Sequence, residues 1–134
     1  MEIISQYQEE LQKDMYIDEI NVTQAAYNLP AIKHKWVARL INTKIKINKL
    51  EAQKKELRSK TINNIKQNNG HLPLISIDRS LDTNSTFLES VAKIDEELEQ
   101  HKMIILYLEK VESIFKNMTF DIKNIVDLAR LETT

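Results

Sequence analysis

Apolar residues recur every three or four positions through most of this 134-residue chain, a spacing that predicts helices. The first helix should extend from Met1 to about Met15. Its apolar positions are Ile4, Tyr7 and Leu11. Acidic residues occupy other positions of the same segment, so the pattern predicts an amphipathic helix with one buried stripe.

A second and much longer helical series follows the first. Asp18 is a suitable N-cap, and the helical pattern then continues from Glu19 to about Gln67. Pro30 interrupts this pattern. It either kinks one long helix or starts a second helix after Asn28.

Residues 67–85 contain the single Gly of the chain, its second Pro and clustered Asn, Asp and Ser, which predicts a connector. Leu74 to Ile77 could form a short strand within it. Thr86 and Glu89 have the spacing of a capping box, which predicts the start of a helix that ends near Asn117.

A last helix should run from about Phe120 to Leu131, with Thr119 as a candidate cap. The sequence therefore predicts an all-α fold, in which a long amphipathic basic helix lies in an N-terminal helical bundle and C-terminal helices follow a linker. The predicted division is 1–67 for an N-terminal nucleic-acid-binding region, 68–85 for a connector and 86–134 for an oligomerisation region. One Gly and two Pro provide little turn material for an all-β fold.

The long central helix can be divided into faces at about 100° per residue. One arc forms an apolar seam suited to packing against another helix, and it contains Trp36, Leu40, Thr43, Ile47, Leu50, Leu57 and Thr61. Lys54 interrupts the seam. On one side lies a first basic row of Lys35, Arg39, Asn42, Lys46, Lys49, Gln53 and Lys60. On the other side lies a looser row of Lys33, Lys44, Lys55, Arg58 and Lys66.

Charge along the chain is strongly segregated, although the whole chain is only −1. Residues 33–66 carry 11 of the 19 basic residues and two acids, which gives +9, while residues 1–32 and 67–134 carry −5 each. A basic helix of this kind suits contact with a polyanion such as nucleic acid. Lys and Arg also cover apolar seams and pair with acidic neighbouring helices. A structural coiled-coil scaffold or adaptor without a nucleic-acid role is therefore the alternative.

From Leu50 to Lys55 the sequence is LEAQKK. Short blocks on either side include Glu9, Glu10, Leu11, Lys13, Asp14, Ile17, Asp18, Lys35 and Trp36, then Ser76, Asp78 and Arg79. The terminal FDIKNIVDLARLE adds Phe120, Ile122, Lys123, Ile125, Asp127 and Glu132. Through these blocks, taken in order, the chain resembles the UvsY family of recombination mediators of T-even-like bacteriophages.

The resemblance implies a non-enzymatic protein of the DNA recombination and repair machinery in the cytoplasm of the infected bacterial host. Members of the family form ring-like homo-oligomers, expected here as a hexamer or heptamer. They bind single-stranded DNA and load a RecA-like recombinase onto strands covered by single-strand-binding protein. The resemblance implies no cofactor.

The DNA-contacting basic residues of the family lie just beyond the EAQKK stretch. The corresponding positions here are Ser59 and Thr61, whereas the basic residues stand one place earlier, at Arg58 and Lys60. One residue turns a helix by about 100°. Either the exposed face differs locally, or DNA contacts a wider patch of Lys54, Lys55, Arg58 and Lys60. The next candidates for DNA contact are Lys35, Arg39, Lys46 and Lys49.

The C-terminal segment is more apolar than one buried stripe requires. Residues 103–108 are apolar on all sides of a helix, and seven of residues 120–132 are apolar. Packing inside the protomer is one explanation. For the two predicted helices as a group, in so short a chain, a subunit interface is favoured. Its predicted contacts are Ile105, Leu108, Phe120, Ile122, Ile125, Val126 and Leu128.

The sequence contains no pattern typical of a catalytic or metal site. His34, His71 and His101 are far apart, the chain has no Cys, and HExxH, GxSxG and Walker-type glycine loops are absent. We therefore expect no enzymatic activity and no metal. The longest apolar run, Met103 to Leu108, is too short to span a membrane, and the acidic N-terminal segment is unlike a secretory signal.

Overall fold

The computed structural model describes residues 2–69 and 74–133. The helices are α1 (Glu2–Met15), α2 (Val22–Asn69), α3 (Leu74–Thr83) and α4 (Ser85–Thr133). Strands are absent from the described ranges, so the predicted all-α fold is confirmed. Gly70, His71 and Pro73, which belong to the predicted connector, lie outside the described residues.

The turn between α1 and α2 is closed by Asp18. Its Oδ1 accepts the backbone N–H groups of Ile20 at 2.9 Å and of Asn21 at 2.8 Å. Asn21 Oδ1 in turn accepts the N–H of Asp18 at 2.7 Å, which is the reciprocal pattern of a capping box. Asp18 thus caps the turn before α2, and the predicted helix start at Glu19 is wrong, because the first helical bond runs from the N–H of Ala25 to the C=O of Asn21 at 2.9 Å and regular helix begins at Val22.

Pro30 lies inside α2, which continues without a break from Val22 to Asn69. The predicted alternative of a second helix after Asn28 is therefore wrong. Proline removes one helical hydrogen bond, but burial on both sides of it compensates, because Leu29 and Trp36 are 7% and 3% exposed in the same core cluster.

The short strand predicted at Leu74 to Ile77 is wrong, because these residues begin α3. Ile77 and Leu81 stand four residues apart and are both buried against Ile65 of α2. Phe87 packs against the same cluster. Four residues are too few for the sequence to distinguish a strand from a helical turn, and this tertiary contact selects the helix.

The C-terminal region is one helix, so the predicted break between Asn117 and Phe120 is wrong. Residues 117–120 contain neither Gly nor Pro, and Met118 is buried in the core one turn after Phe115. The start of α4 is also capped differently from the prediction. Asn84 Oδ1 accepts the N–H of Phe87 at 2.9 Å, whereas Thr86 lies inside the first turn of α4 and its hydroxyl forms no hydrogen bond with the described residues.

The described residues form two compact units. The first unit contains the residues up to Thr43 and those from Met103 onward, and the second unit contains Lys44–Lys102. This grouping differs from the predicted division at 68–85, because α2 and α4 each contribute to both units. The functional roles assigned to the three predicted regions stay predictions.

The first unit is a bundle of α1, the first part of α2 and the second part of α4. Its core contains Leu11, Leu29, Trp36, Leu40, Ile104, Leu108, Val111, Phe115 and Met118. In the second unit the cluster of Ile65, Ile77 and Leu81 joins α2 to α3. Ile47, Leu50 and Leu98 are also buried there.

Candidate nucleic-acid interface

Two basic residues of the first row are neutralised inside the first unit. Lys35 Nζ contacts Glu10 Oε1 at 3.0 Å and also pairs with Asp14. Arg39 holds Glu10 through two hydrogen bonds, Nη1 to Oε2 at 2.6 Å and Nη2 to Oε1 at 3.1 Å. A bidentate pair of this kind fixes the guanidinium in one orientation.

Aromatic rings complete this cluster. The Arg39 guanidinium lies 4.8 Å from the ring centre of Tyr7 and 4.7 Å from that of Trp36. Trp36 Nε1 donates to Asp14 Oδ2 at 2.9 Å, and the indole is 3% exposed. The predicted core role of Trp36 is confirmed.

The ionisation of the cluster follows from these contacts. The hydrogen bond from Arg39 holds the pKa of Glu10 at about 2, against an ordinary value of 4.5. Burial acts to lower the pKa of Lys35, but hydrogen bonds to Asp14 and Glu10 outweigh it, and the pKa is raised. Lys35 and Arg39 therefore stay charged, with their charges compensated by α1.

In the second unit, α2 and α4 enclose a groove of about 700 Å³, which several predicted DNA contacts line. Lys54 Nζ contacts Asp95 Oδ1 at 2.8 Å across it. Lys55 and Arg58 lie on the α2 wall, and Arg58 pairs with Asp78 of α3 at 3.4 Å. Glu51, Glu99 and Lys102 also line this groove, so three acidic residues offset most of the charge of its four basic ones.

The opposite side of α2 in the second unit is different. Three exposed lysines of the first row lie there, and we call them the open lysine row: Lys46, Lys49 and Lys60. Within residues 2–69 and 74–133, no carboxylate lies within 4.0 Å of the ammonium groups of Lys46 and Lys49. Among the described residues Lys60 pairs with Glu56, one turn away at 3.0 Å, and both side chains are mostly exposed. Such a pair adds little stability and exchanges readily.

The open lysine row is long enough to contact several phosphates of a single-stranded nucleic acid. From Lys46 to Lys60 the helix rises about 21 Å at 1.5 Å per residue. Gln53 stands between them on the same side and is neutral. A polyanion on this face meets lysines and an amide, and Glu56 is the carboxylate that pairs with the row, at Lys60.

The predicted interface residues of α4 fall into three groups by exposure. Leu108 is 2% exposed in the core of its own protomer, and Ile105 and Ile122 pack against the same cluster. Phe120 and Leu128 are 66% and 57% exposed. Between these extremes lie the half-buried Ile125 and Val126. Phe120 and Leu128 thus remain available for contact with another molecule.

The sequence did not identify which acids would neutralise which bases. The partners Glu10, Asp14, Asp78 and Asp95 lie 20–41 residues from their bases along the chain. The compensating charges of the flanks were the available signal, but they carry no information about position. Tyr16 and Tyr27 are 63% and 79% exposed.

Neither a metal centre nor a membrane span is found in the described part of the chain. It contains no group of three or more His, Cys, Asp or Glu side chains arranged to hold a metal ion. No helix within it has a segment long and apolar enough to cross a membrane.

Fold and surface together define a class of all-α proteins with an exposed row of lysines along one long helix, in which Lys46 and Lys49 have no carboxylate partner among the described residues. The family described as recombination, repair and ssDNA binding protein UvsY matches residues 10–134. This match covers most of the chain, which therefore belongs to the UvsY family. No curated protein sequence shows significant similarity to it.

Solved structures show the same fold. Crystal structures of the bacteriophage T4 recombination mediator protein UvsY are similar to this chain at 23% sequence identity. One lattice type gives a TM-score of 0.73 over 97% of each chain. A second gives 0.71 over 96% of this chain and 97% of that chain. At this identity the similarity establishes the fold.

Proposed function

We propose that this protein is a recombination mediator that binds single-stranded DNA and promotes loading of a RecA-like recombinase onto strands coated with single-strand-binding protein. The observation that carries the proposal is membership of a family of recombination, repair and single-stranded-DNA-binding proteins. It acts without catalysis of its own, in the cytoplasm of the infected bacterial host.

The distribution of ion pairs supports a particular surface. Phosphates are attracted most where lysines have no acidic partner, because neutralised pairs must first be broken. Within the described residues Lys46, Lys49 and Lys55 meet this condition, and Lys60 has only an exposed pair with Glu56 to release. Lys54 and Arg58 can bind phosphate once their ion pairs with Asp95 and Asp78 break. Lys35 and Arg39 stay paired with acidic residues of α1.

Binding to labelled single-stranded oligonucleotides at several salt concentrations tests the proposal. Affinity should be tolerant of base sequence and fall steeply with salt, since each neutralised phosphate adds about 0.7 to the logarithmic slope. Absence of binding at low salt would favour the scaffold alternative. The ion pairs of Lys35, Arg39, Lys54 and Arg58 are the observation that supports that alternative.

A charge-matched pair of variants tests the surface. Lys46→Gln with Lys49→Gln should lower the logarithmic salt slope by about 1.4, the value for two phosphates. The control is Lys93→Gln with Lys110→Gln, which makes the same charge change at exposed positions of α4. If both double variants changed the salt slope equally, the open lysine row would not be the DNA contact.

The mediator step needs a separate assay. A RecA-like recombinase should assemble faster on strands coated with single-strand-binding protein when this protein is added. Recombinase ATP hydrolysis on the coated strand reports assembly, and uncoated strand is the control. Acceleration on neither strand would leave DNA binding in place but refute the loading role.

A further inference from the structure

A second cavity of the second unit lies on the same flank of α2 as Lys60. It has a volume of about 270 Å³ and is formed by the end of α2 and the start of α4. None of the described residues that line it is charged. Its polar lining includes Asn64, Asn68, Thr86 and Ser90, and Phe87 contributes an aromatic ring.

The polar side chains of this cavity are available for a ligand. In the described parts of the chain, Asn64, Asn68, Thr86 and Ser90 use no side-chain atom in a hydrogen bond. Amides and hydroxyls offer both donors and acceptors, and they carry no charge. An apolar guest would leave these groups unpaired, and a phosphate would find no cation among them.

Phe87 is half-buried, and one side packs against the cluster of Ile65, Ile77 and Leu81. Phe87 also lines the cavity, and it lines the charged groove between α2 and α4 as well. Aromatic rings in this setting stack with unpaired nucleobases, whose edges then accept and donate hydrogen bonds to nearby amides. The cavity is slightly smaller than pockets for drug-sized ligands, about 300–1,000 Å³, which suits a single planar ring system.

The cavity is also correctly placed for a base of a bound strand. Lys60 precedes Asn64 by four residues, so their side chains lie on the same side of α2 one turn apart. A phosphate at Lys60 would hold the backbone at the rim. The attached base can then turn into the neutral cavity, since a single strand leaves its bases free.

We propose that this cavity, between Phe87 and the amides of Asn64 and Asn68, receives one nucleobase of the single-stranded DNA held by the open lysine row. The inference rests on the proposed function and adds a base-binding site to it. Because amides and hydroxyls adapt to different donor and acceptor patterns, the site takes bases of any kind.

The test compares an oligothymidylate with a strand of equal length that carries abasic sites. Both strands have the same backbone charge, so the phosphate contribution to binding is the same. The wild-type protein should bind the abasic strand about 5- to 160-fold more weakly, the range expected for loss of one stacked base, with the same salt slope.

Variants locate the effect. Asn64→Ala with Asn68→Ala should weaken binding of the oligothymidylate and leave binding of the abasic strand unchanged. Phe87→Leu, which keeps apolar contact with the cluster, should do the same. If circular dichroism shows that Phe87→Leu does not fold, the Asn64→Ala and Asn68→Ala variant tests the site instead. Both Asn residues are exposed, so their replacement should not affect folding. Lys46→Gln with Lys49→Gln is the matched control and should weaken both strands by the same factor.

The outcomes separate the two proposals. Equal, salt-steep binding of both strands by the wild type would overturn the base site and leave single-strand binding intact. Unchanged binding of the oligothymidylate by the Asn variant would also overturn it. Absence of binding to either strand at low salt would refute the proposed function, and the base site with it.

Discussion

Arg39 combines three interactions at one side chain. Its guanidinium forms two hydrogen bonds to Glu10 and lies over the rings of Tyr7 and Trp36. Planar geometry allows both the fork and the stacking, which an ammonium group does not provide. The residue therefore connects α1 to α2, and this structural role is separate from DNA binding.

Replacing Arg39 should affect stability more than DNA binding. We expect Arg39→Gln to lower the free energy of unfolding by about 1–3 kcal/mol, because it leaves Glu10 without its bidentate partner. Lys49→Gln, at an exposed position with no ion pair, should change it by less than about 0.5 kcal/mol. Urea denaturation followed by circular dichroism measures both.

The same pair should behave in the opposite way towards DNA. Lys49→Gln should reduce the logarithmic salt slope by about 0.7, and Arg39→Gln should leave it unchanged. A reduced slope for a well-folded Arg39→Gln protein would show that this arginine contacts DNA.

Glu10 should make stability sensitive to acid. Its pKa is lowered from 4.5 to about 2 in the folded protein, so its contribution is fully present above pH 4.5 and is lost as pH falls from 4.5 towards 2. The full shift corresponds to about 3 kcal/mol, and solvent screening of a side chain 35% exposed reduces this to about 1–2 kcal/mol.

The acid sensitivity is tested by measuring the free energy of unfolding of wild-type protein and of Glu10→Gln between pH 2 and 7. The difference should be largest above pH 4.5 and shrink as pH approaches 2. Glu9→Gln, which removes an exposed carboxylate with no ion pair, is the control. A pH-independent difference for Glu10→Gln would contradict the assignment.

Among the elements, α4 begins at an unexpected residue. Asn84 accepts the backbone N–H of Phe87, so Asn84→Ala should cost about 1 kcal/mol of stability. Thr86→Ala is the control, because Thr86 lies inside the first turn and caps nothing. Thermal unfolding of the two variants distinguishes them. A larger loss for Thr86→Ala would restore the capping box at Thr86 and Glu89.

The whole molecule has exposed apolar residues that a ring-forming protomer would use. We propose that Phe120 and Leu128, eight residues apart on one side of α4, contribute to a homo-oligomer, as a hexamer or heptamer ring. A ring would place many open lysine rows along one strand and raise its affinity through multivalency.

Phe120→Ser with Leu128→Ser should shift the sedimenting species to smaller assemblies and weaken DNA binding. The control is Leu88→Ser with Leu106→Ser, which removes exposed leucines elsewhere on α4. Point variants are preferable to deleting residues 119–134, because Ile122 packs against the protomer's own core. Wild-type protein that sediments as a monomer at micromolar concentration would refute the ring.

The sequence by itself determined most of the helical segments, the apolar seam and Asp18 as an acceptor of backbone N–H groups in the turn before α2. These are local properties, since a periodicity of three and four residues and a cap within three residues depend only on neighbouring positions. The predicted burial of the apolar seam is confirmed at Trp36, Leu40, Ile47 and Leu50. The predictions at Leu74 to Ile77 and at Asn117 to Phe120 were wrong because the local sequence favours a strand or a helix end only weakly there. Packing against residues distant in the sequence stabilises helix at both places.

The tertiary structure alone decided which basic residues are free. Lys35 and Lys46 are alike in the sequence and lie in one row of α2. Lys35 meets Glu10 and Asp14 of α1, whereas Lys46 meets no carboxylate in the described residues. Charge compensation depends on distances in space, and chain separations of 20 residues or more leave no periodic trace in the sequence. The neutral cavity at Phe87 arises in the same way, because α2 and α4 bring its two walls together.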